Sequence, residues 1–501
     1  MHHLFVILCL FGGYLAFVLA GRPHPELRVV TSSGILNGKY NNSAHTVRAF
    51  LGVPYAEPPV HTLRWAPPRP RSPHRNPINA TSFGSSCPQV YTYSKESIYS
   101  ILPYKIWNSG HMSEDCLYMN IWAPAVKHRG YRRGPRKAAV MLFIHGGGYG
   151  SGSGSVAYYD GTKLVHDNDD LIVVTFNYRL NVFGFPNAPG IDPAKQNLGL
   201  LDQRLAIEWV HDNIDKFGGD PKRILLFGQS AGASSVDIIS YAYPDNPLVS
   251  ALALHSGTAT LLISTPDHQN WNNLSIAIGC GPGAESLQCM RQIPTMKIVE
   301  TRAQGNYNFY PIEDNRLVFS DYAARAQEGK LARLPTLAGI TEREYSAFVP
   351  LSSISIDETA LYEQDQVGFN CPLQESIRIR INHKVPTWRY LYHGNFTNLS
   401  PVPWLAAYHG ADMPLVFGNY NMSTTTIPPS ASEVEASKYI QGAWVAFARN
   451  PRTGLSEYGW PQFRFNEPTL INLALHNSIP AVFTSATSWD SFCEDLPRCE
   501  L

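Results

Sequence analysis

The chain predicts an α/β fold, with a large, mostly parallel central sheet, helices on both faces and long insertions around the site. Three observations predict it. Apolar runs at Ala139-Val140-Met141-Leu142-Phe143-Ile144, Leu171-Ile172-Val173-Val174-Thr175-Phe176, Ile224 to Phe227 and Leu334 to Ile340 alternate with helical stretches such as Leu201 to Phe217 and Glu433 to Asn450. Two of those runs lead straight into glycine-rich turns. No linker, repeat or long low-complexity run interrupts the alternation, so a length that would allow about three domains is read as one domain over residues 21–501.

The stretch before that domain, Met1 to Ala20, has the apolar core Leu4-Phe5-Val6-Ile7-Leu8-Cys9-Leu10-Phe11 and ends Val18-Leu19-Ala20 before Gly21. It reads as a signal peptide cleaved near Ala20, which makes the protein secreted and extracellular. No later run is long and apolar enough to span a bilayer, and no stable membrane anchor is expected. Six acceptor patterns for N-glycosylation, starting at Asn41, Asn79, Asn273, Asn395, Asn398 and Asn421, suit a secreted surface. Of eight cysteines one, Cys9, lies in the leader, leaving an odd number in a chain bound for an oxidising compartment. No close C-x-x-C or histidine cluster accompanies them, so neither a metal nor another cofactor is expected.

Lys+Arg and Asp+Glu both total 40. With formal net charge zero there is no global field to gather nucleic acid, and the expected partner is a small, neutral molecule. The basic stretch from Lys127 to Lys137 reads as a solvated loop between strands.

The first strand that reaches a glycine turn is Ala139 to Ile144, followed by His145-Gly146-Gly147-Gly148-Tyr149. Residues without side chains bare their backbone N–H groups, and such donors aimed at a tetrahedral oxyanion are worth about 3 to 4 kcal/mol each in the barrier to acyl transfer. Gly147 and Gly148 are the expected donors, with the Ala231 N–H as the third. Ala231 belongs to the second turn, Gly228-Gln229-Ser230-Ala231-Gly232, set between the Ile224 to Phe227 run and the small residues Ala233-Ser234-Ser235-Val236. This G-x-S-x-G pattern is a nucleophile elbow, a strained strand-to-helix turn that exposes Ser230 and aims a helix N-terminus at it.

A serine hydroxyl needs a histidine to take its proton and a carboxylate to hold that histidine in the right tautomer, in the chain order Ser, acid, His. Downstream of Ser230 lie His255, His268, His383, His393, His409 and His476. The acid is expected at the carboxyl end of the strand Pro335 to Ile340, where Thr341-Glu342-Arg343-Glu344 offers two glutamates. On these grounds either serves. His409, in Ala407-Tyr408-His409-Gly410-Ala411-Asp412, sits in a glycine-bearing loop, whereas His383 and His393 flank the strand-like Thr387 to Tyr392.

Across nearly all of residues 21–501 the chain resembles the type-B carboxylesterases, the α/β-hydrolase family that includes the cholinesterases and the larger fungal lipases, and is closest to its secreted fungal members. The resemblance rests on Phe50-Leu51-Gly52-Val53-Pro54-Tyr55-Ala56-Glu57-Pro58-Pro59 with Leu63-Arg64-Trp65, on Ser113-Glu114-Asp115-Cys116-Leu117-Tyr118-Met119-Asn120-Ile121-Trp122, and on Asn177-Tyr178-Arg179. It continues through Asn197-Leu198-Gly199-Leu200-Leu201-Asp202-Gln203, Phe217-Gly218-Gly219-Asp220-Pro221, both glycine turns and His255-Ser256-Gly257.

The resemblance implies Ser230 as nucleophile, Glu344 as acid and His409 as base, with Glu342 left at the surface. It implies that Ser256 steadies the acid. It pairs Cys87 with Cys116 and Cys280 with Cys289, and leaves Cys371 to meet Cys493, with Cys499 as the leftover or the competitor for that pairing. In the family the loop equivalent to Cys87 to Cys116 forms a lid or carries a cation-binding tryptophan; here it holds Trp107, which joins Tyr149 as a substrate-binding candidate. Two positions depart from the family pattern. Gln229 replaces the usual Glu before the nucleophile, removing a negative charge and favouring neutral substrates, and Tyr345 replaces the usual Gly after the acid.

The function expected is therefore hydrolysis of a neutral carboxylic ester through an acyl-enzyme on Ser230. The alternatives are a lipase acting on longer acyl esters and a non-catalytic binding relative of the fold.

Overall fold

The computed structural model describes residues 24–41, 43, 45–90, 95–101, 111–126, 137–351, 356–422 and 427–494. Trp107, Cys499, residues 1–20 and nearly all of the basic stretch lie outside them.

In chain order the strands are β1 Arg28–Thr31, β2 Gly34–Asn37, β3 Lys39–Tyr40, β4 Val47–Pro54, β5 His74–Asn79, β6 Tyr118–Pro124, β7 Ala138–Ile144, β8 Leu171–Phe176, β9 Gly219–Gln229, β10 Ala251–His255, β11 Thr336–Thr341, β12 Thr387–Tyr392, β13 Leu470–Leu473 and β14 Val482–Thr484. Eleven form one sheet in the order β14-β13-β12-β11-β10-β9-β7-β8-β6-β4-β3, while β1, β2 and β5 form a small one. The seven strands from β13 to β8 in that order run parallel. Antiparallel pairs close both edges. This is the α/β-hydrolase architecture expected of the sequence.

Every residue of β7 and β8 is buried, which is why these strands read as unbroken apolar runs rather than alternating ones. Their side chains divide between two cores, one on each face. Val140, Leu142 and Ile144 join one, and Ala139, Met141 and Phe143 join the other. The helical stretch expected from Leu201 to Phe217 begins earlier, as a helix Leu198–Asn213 that tightens into a 3₁₀ turn Ile214–Phe217. The last long helix is Ala431–Arg449, capped by the Ser430 hydroxyl accepting from the Glu433 N–H.

Several motifs that carry the family resemblance hold the scaffold. Arg64 pairs with Glu114 through Nε at 2.8 Å, joining two of the quoted segments in a buried ion pair. Arg179 grips Asp202 through Nε at 2.8 Å and a terminal nitrogen at 2.7 Å, joining two more. Such two-pronged pairs are the geometry for which arginine is suited.

Disulfides join Cys87 to Cys116, Cys280 to Cys289 and Cys371 to Cys493, with Cα–Cα separations of 5.0, 5.5 and 5.3 Å. Among the described residues no helix is long and apolar enough to cross a membrane, and no group of His, Cys, Asp and Glu side chains is arranged to hold a metal ion.

The acceptor patterns divide by exposure. Asn79, Asn273, Asn395 and Asn421 are exposed and Asn41 is half-buried. Asn398 corrects the sequence reading: only 2% exposed, its amide donates to the Tyr420 carbonyl and to Glu433 Oε1 at 3.0 Å. A glycan on that nitrogen would cost both bonds and the packing around them, so this amide belongs to the interior.

Candidate active site

β9 ends at Gln229, and the helix Ala231–Ala242 starts at once. Between them Ser230 takes φ 58° and ψ −126°, a conformation that non-glycine residues adopt at a cost of about 1 to 3 kcal/mol. The flanking glycines make the turn possible. A Cβ on Gly228 would lie 2.4 Å from the Gly232 carbonyl, and one on Gly232 would lie 2.0 Å from the Ile144 carbonyl of β7. The serine is thus lifted off the sheet at the carboxyl end of a central strand, at the N-terminus of a 12-residue helix.

β7 delivers the other glycine turn to the same place. A Cβ on Gly146 would come within 2.9 Å of Ser230 Cβ, so the loop backbone lies against the serine. Gly147 holds φ +109°, where a side chain would also meet the Ser151 carbonyl at 2.3 Å. Gly146, Gly147, Gly148 and Ser230 all line one cavity of about 660 Å³. His145, before the turn, is fully buried and stacked on Tyr178; burial lowers its imidazole to about 4, so it stays neutral.

β11 supplies the acid. Glu344 is fully buried; its Oε1 accepts the Thr341 N–H at 2.7 Å and its Oε2 accepts from His409 Nδ1 at 2.5 Å. The loops that carry the two are tied by the Arg343 N–H donating to the Ala407 carbonyl at 3.1 Å. Glu342 instead lies part-exposed beside His393. A carboxylate only accepts, so His409 carries its proton on Nδ1 and turns the Nε2 lone pair toward the cavity. In this structure the Gln229 amide, 3.1 Å away, donates to that lone pair. A glutamate there could not donate unless protonated, so the departure at Gln229 touches the imidazole directly.

The cavity wall is aromatic. Phe348 and Phe369 lie 5.4 and 5.1 Å from the His409 ring, and both pack edge-on against Tyr345 at 5.6 Å. Phe369 rides on a π-helical turn, Gln366–Asn370, that follows the helix Glu358–Asp365. Among the described residues lining the cavity there is no lysine or arginine, and Glu96 is the sole carboxylate.

Two sequence expectations are corrected. Tyr149 lines no part of the cavity: its ring is fully buried against Phe185, and its hydroxyl accepts from Ser235. Ser256 Oγ is buried without a hydrogen-bonding partner and makes no bond to Glu344, whose oxygens accept from the Thr341 N–H and from His409; Ser256 contributes instead through its N–H, which bonds the Gly339 carbonyl of β11. Trp107, the other substrate-binding candidate, lies outside the described residues.

Sequence reasoning missed Asp365, 20 positions beyond Tyr345, whose N–H it accepts at 2.6 Å. Burial raises its carboxyl to about 7, with the Glu344 charge adding and the Tyr345 N–H opposing. No local signal marks it, since the contact is made only by the fold. A folded-state value above the unfolded one (~3.9) means that its contribution to stability is present below about pH 4 and is lost as pH rises through about 7. Asp365→Asn, which keeps the acceptor and cannot ionise, is expected to stabilise the protein by about 1 kcal/mol or more at pH 8. Thermal unfolding should show that gain vanishing by pH 4; an equal gain at both would refute it.

Comparison with known proteins places these features in a wider setting. The sequence model of the carboxylesterase family matches residues 25–368 and 355–488. A chlorogenic acid esterase of Aspergillus niger is 38% identical over 471 residues, covering 89% of this chain and 90% of its own. Secreted lipase 5 of Gibberella zeae is 35% identical over 507 residues, covering 93% and 94%. The acetylcholinesterase of Bungarus fasciatus is 29% identical over 523 residues, covering 91% and 84%.

Proposed function

We propose that this chain, which belongs to the carboxylesterase family, cleaves neutral carboxylic esters through an acyl-enzyme on Ser230. As a member of that family it is a carboxylic ester hydrolase of the serine type, acting on small-molecule esters. The observation that carries the finer reading is the buried Glu344–His409 pair, whose imidazole lines the same cavity as Ser230 and keeps its Nε2 as an acceptor, held in this structure by the Gln229 amide.

In this reading the substrate displaces the Gln229 amide from His409 Nε2. Ser230 Oγ attacks the ester carbonyl as its proton passes to that nitrogen, and a tetrahedral oxyanion forms toward the N–H groups of Gly147, Gly148 and Ala231. Collapse expels the alcohol, which takes the proton from His409. Water then attacks the acyl carbon as its proton passes to the same nitrogen, and collapse breaks the bond to Ser230 Oγ, which takes that proton back from His409 as the acid leaves. Glu344 accepts from Nδ1 throughout and stabilises the imidazolium. The reading includes a cleaved leader over residues 1–20, one domain over 21–501 and an extracellular location. The apolar leader and the printed name of the Gibberella zeae relative, a secreted lipase, support secretion.

Neutral substrates are supported by the wall, where no lysine or arginine is among the described lining residues and the residue before the nucleophile is an uncharged amide. The test is a pair of esters of equal size, 3,3-dimethylbutyl acetate and its quaternary ammonium isostere. Wild type is expected to prefer the neutral one in kcat/KM. Gln229→Glu is expected to shift the ratio toward the cation by on the order of tenfold, the size of one nearby charge in a partly screened site. No shift would remove Gln229 from the account of specificity.

A lipase is the second reading, favoured by Phe348 and Leu262, which line the cavity yet stand 51% and 36% exposed. A jump in rate when a long-chain ester passes its solubility limit would select it; a smooth curve selects the esterase.

A further inference from the structure

Behind the candidate triad lies a second imidazole–carboxylate pair with no access to the cavity. His255, the last residue of β10, and Asp412 are buried, and His255 Nδ1 lies 2.8 Å from Asp412 Oδ2. On the far side of the ring the Trp444 indole N–H donates to His255 Nε2 at 3.0 Å. An indole nitrogen only donates, so Nε2 accepts and the proton of His255 sits on Nδ1, 2.8 Å from both Asp412 Oδ2 and the Tyr390 hydroxyl oxygen. The Tyr390 hydroxyl lies 3.0 Å from the same carboxylate oxygen and donates to it. The other oxygen, Asp412 Oδ1, is buried without a hydrogen-bonding partner, so His255 and Tyr390 bear the whole carboxylate.

Its placement connects the two groups that must meet. The backbone carbonyl of His255 accepts the Ser230 N–H at 2.8 Å, which fixes the elbow. The side chain of the same residue holds Asp412, three positions beyond His409 in a loop closed by the Ala411 N–H on the Tyr408 carbonyl and the Met413 N–H on the Gly410 carbonyl. One residue therefore binds the nucleophile through its main chain and the loop of the base through its imidazole.

We propose that His255 and Asp412 are positioning residues that set the separation of Ser230 from His409, with Trp444 fixing the tautomer and Tyr390 completing the carboxylate. The proposal rests on the Ser230–His409–Glu344 reading. Proton transfer tolerates little misplacement, and an error of about 1 Å in a reacting geometry costs about 100-fold.

The test uses the full-length protein and counts active sites by fluorophosphonate titration, so that misfolded molecules drop out. His255→Gln and Asp412→Leu are expected to lower kcat per titrated site by about 10- to 100-fold, with KM within about twofold and the labelling rate falling in parallel. Asp412→Asn, which keeps an acceptor for His255, should recover most of the loss. Should the first two fail to fold, Trp444→Phe, which removes one polar contact, and Tyr390→Phe, which removes two, are expected to lower kcat by about 3- to 10-fold. A purely structural pair would lower the melting temperature alone. Wild-type kcat per titrated site in every folded variant overturns the proposal, whereas a wild-type protein that fails to label at Ser230 overturns the reading beneath it.

Discussion

Ser230→Ala is expected to lower kcat on a short aryl ester by about 10⁶-fold while leaving the melting temperature nearly unchanged. The loss has the size seen when a serine nucleophile is removed from a complete triad, leaving only what binding and oxyanion stabilisation supply. The fold should survive because alanine keeps the Cβ, and the strained backbone at φ 58° is imposed by the close contacts of Gly228 and Gly232 rather than by the hydroxyl. Initial rates at saturating substrate, with unfolding curves alongside, check both halves. A variant retaining wild-type turnover would place the nucleophile elsewhere.

The second large effect separates two glutamates two positions apart. Glu344→Gln is expected to lower kcat by about 10⁴-fold, because an amide can present its N–H₂ to the imidazole and stabilise the tautomer with its proton on the wrong nitrogen. The backbone bond from Thr341 to Oε1 can survive the change, so the damage should be confined to His409. Glu342→Gln touches only the part-exposed contact with His393 and should stay within about twofold of wild type. Equal losses in the two variants would contradict the assignment of the acid.

The central strands were legible in the sequence because a strand buried on both faces must be apolar throughout, and few turns other than an elbow need glycines at both flanks of a serine. What the residues alone left open was the choice between Glu342 and Glu344. The structure shows why: both sit at the end of β11, and only the hydrogen bond to His409, 65 residues away, distinguishes them. The same limit hid His255, which sequence places as one more histidine downstream of Ser230, and Asp365, whose partner lies 20 residues away. Tyr149 and Asn398 failed in the opposite direction. Residue type and motif position marked one as a site residue and the other as a glycan acceptor, and burial against Phe185 and Glu433 overrode both.

Beside the two glycine turns, the residues that carry the family resemblance include a set that holds the scaffold rather than doing chemistry. Arg64, Glu114, Arg179 and Asp202 are tied in buried pairs that hold the loops around the sheet. The tuning positions, Gln229 and Tyr345, are where this chain departs from the family pattern, and both contact the imidazole or its surroundings.

The most direct test of the central claim is covalent labelling of the wild-type protein with a fluorophosphonate, followed by peptide mapping. The account predicts one adduct per chain, on the peptide containing Gly228-Gln229-Ser230-Ala231-Gly232, with ester hydrolysis lost in step with labelling. A protein that hydrolyses esters but carries no adduct there, or that takes no label and cleaves no ester, would contradict it.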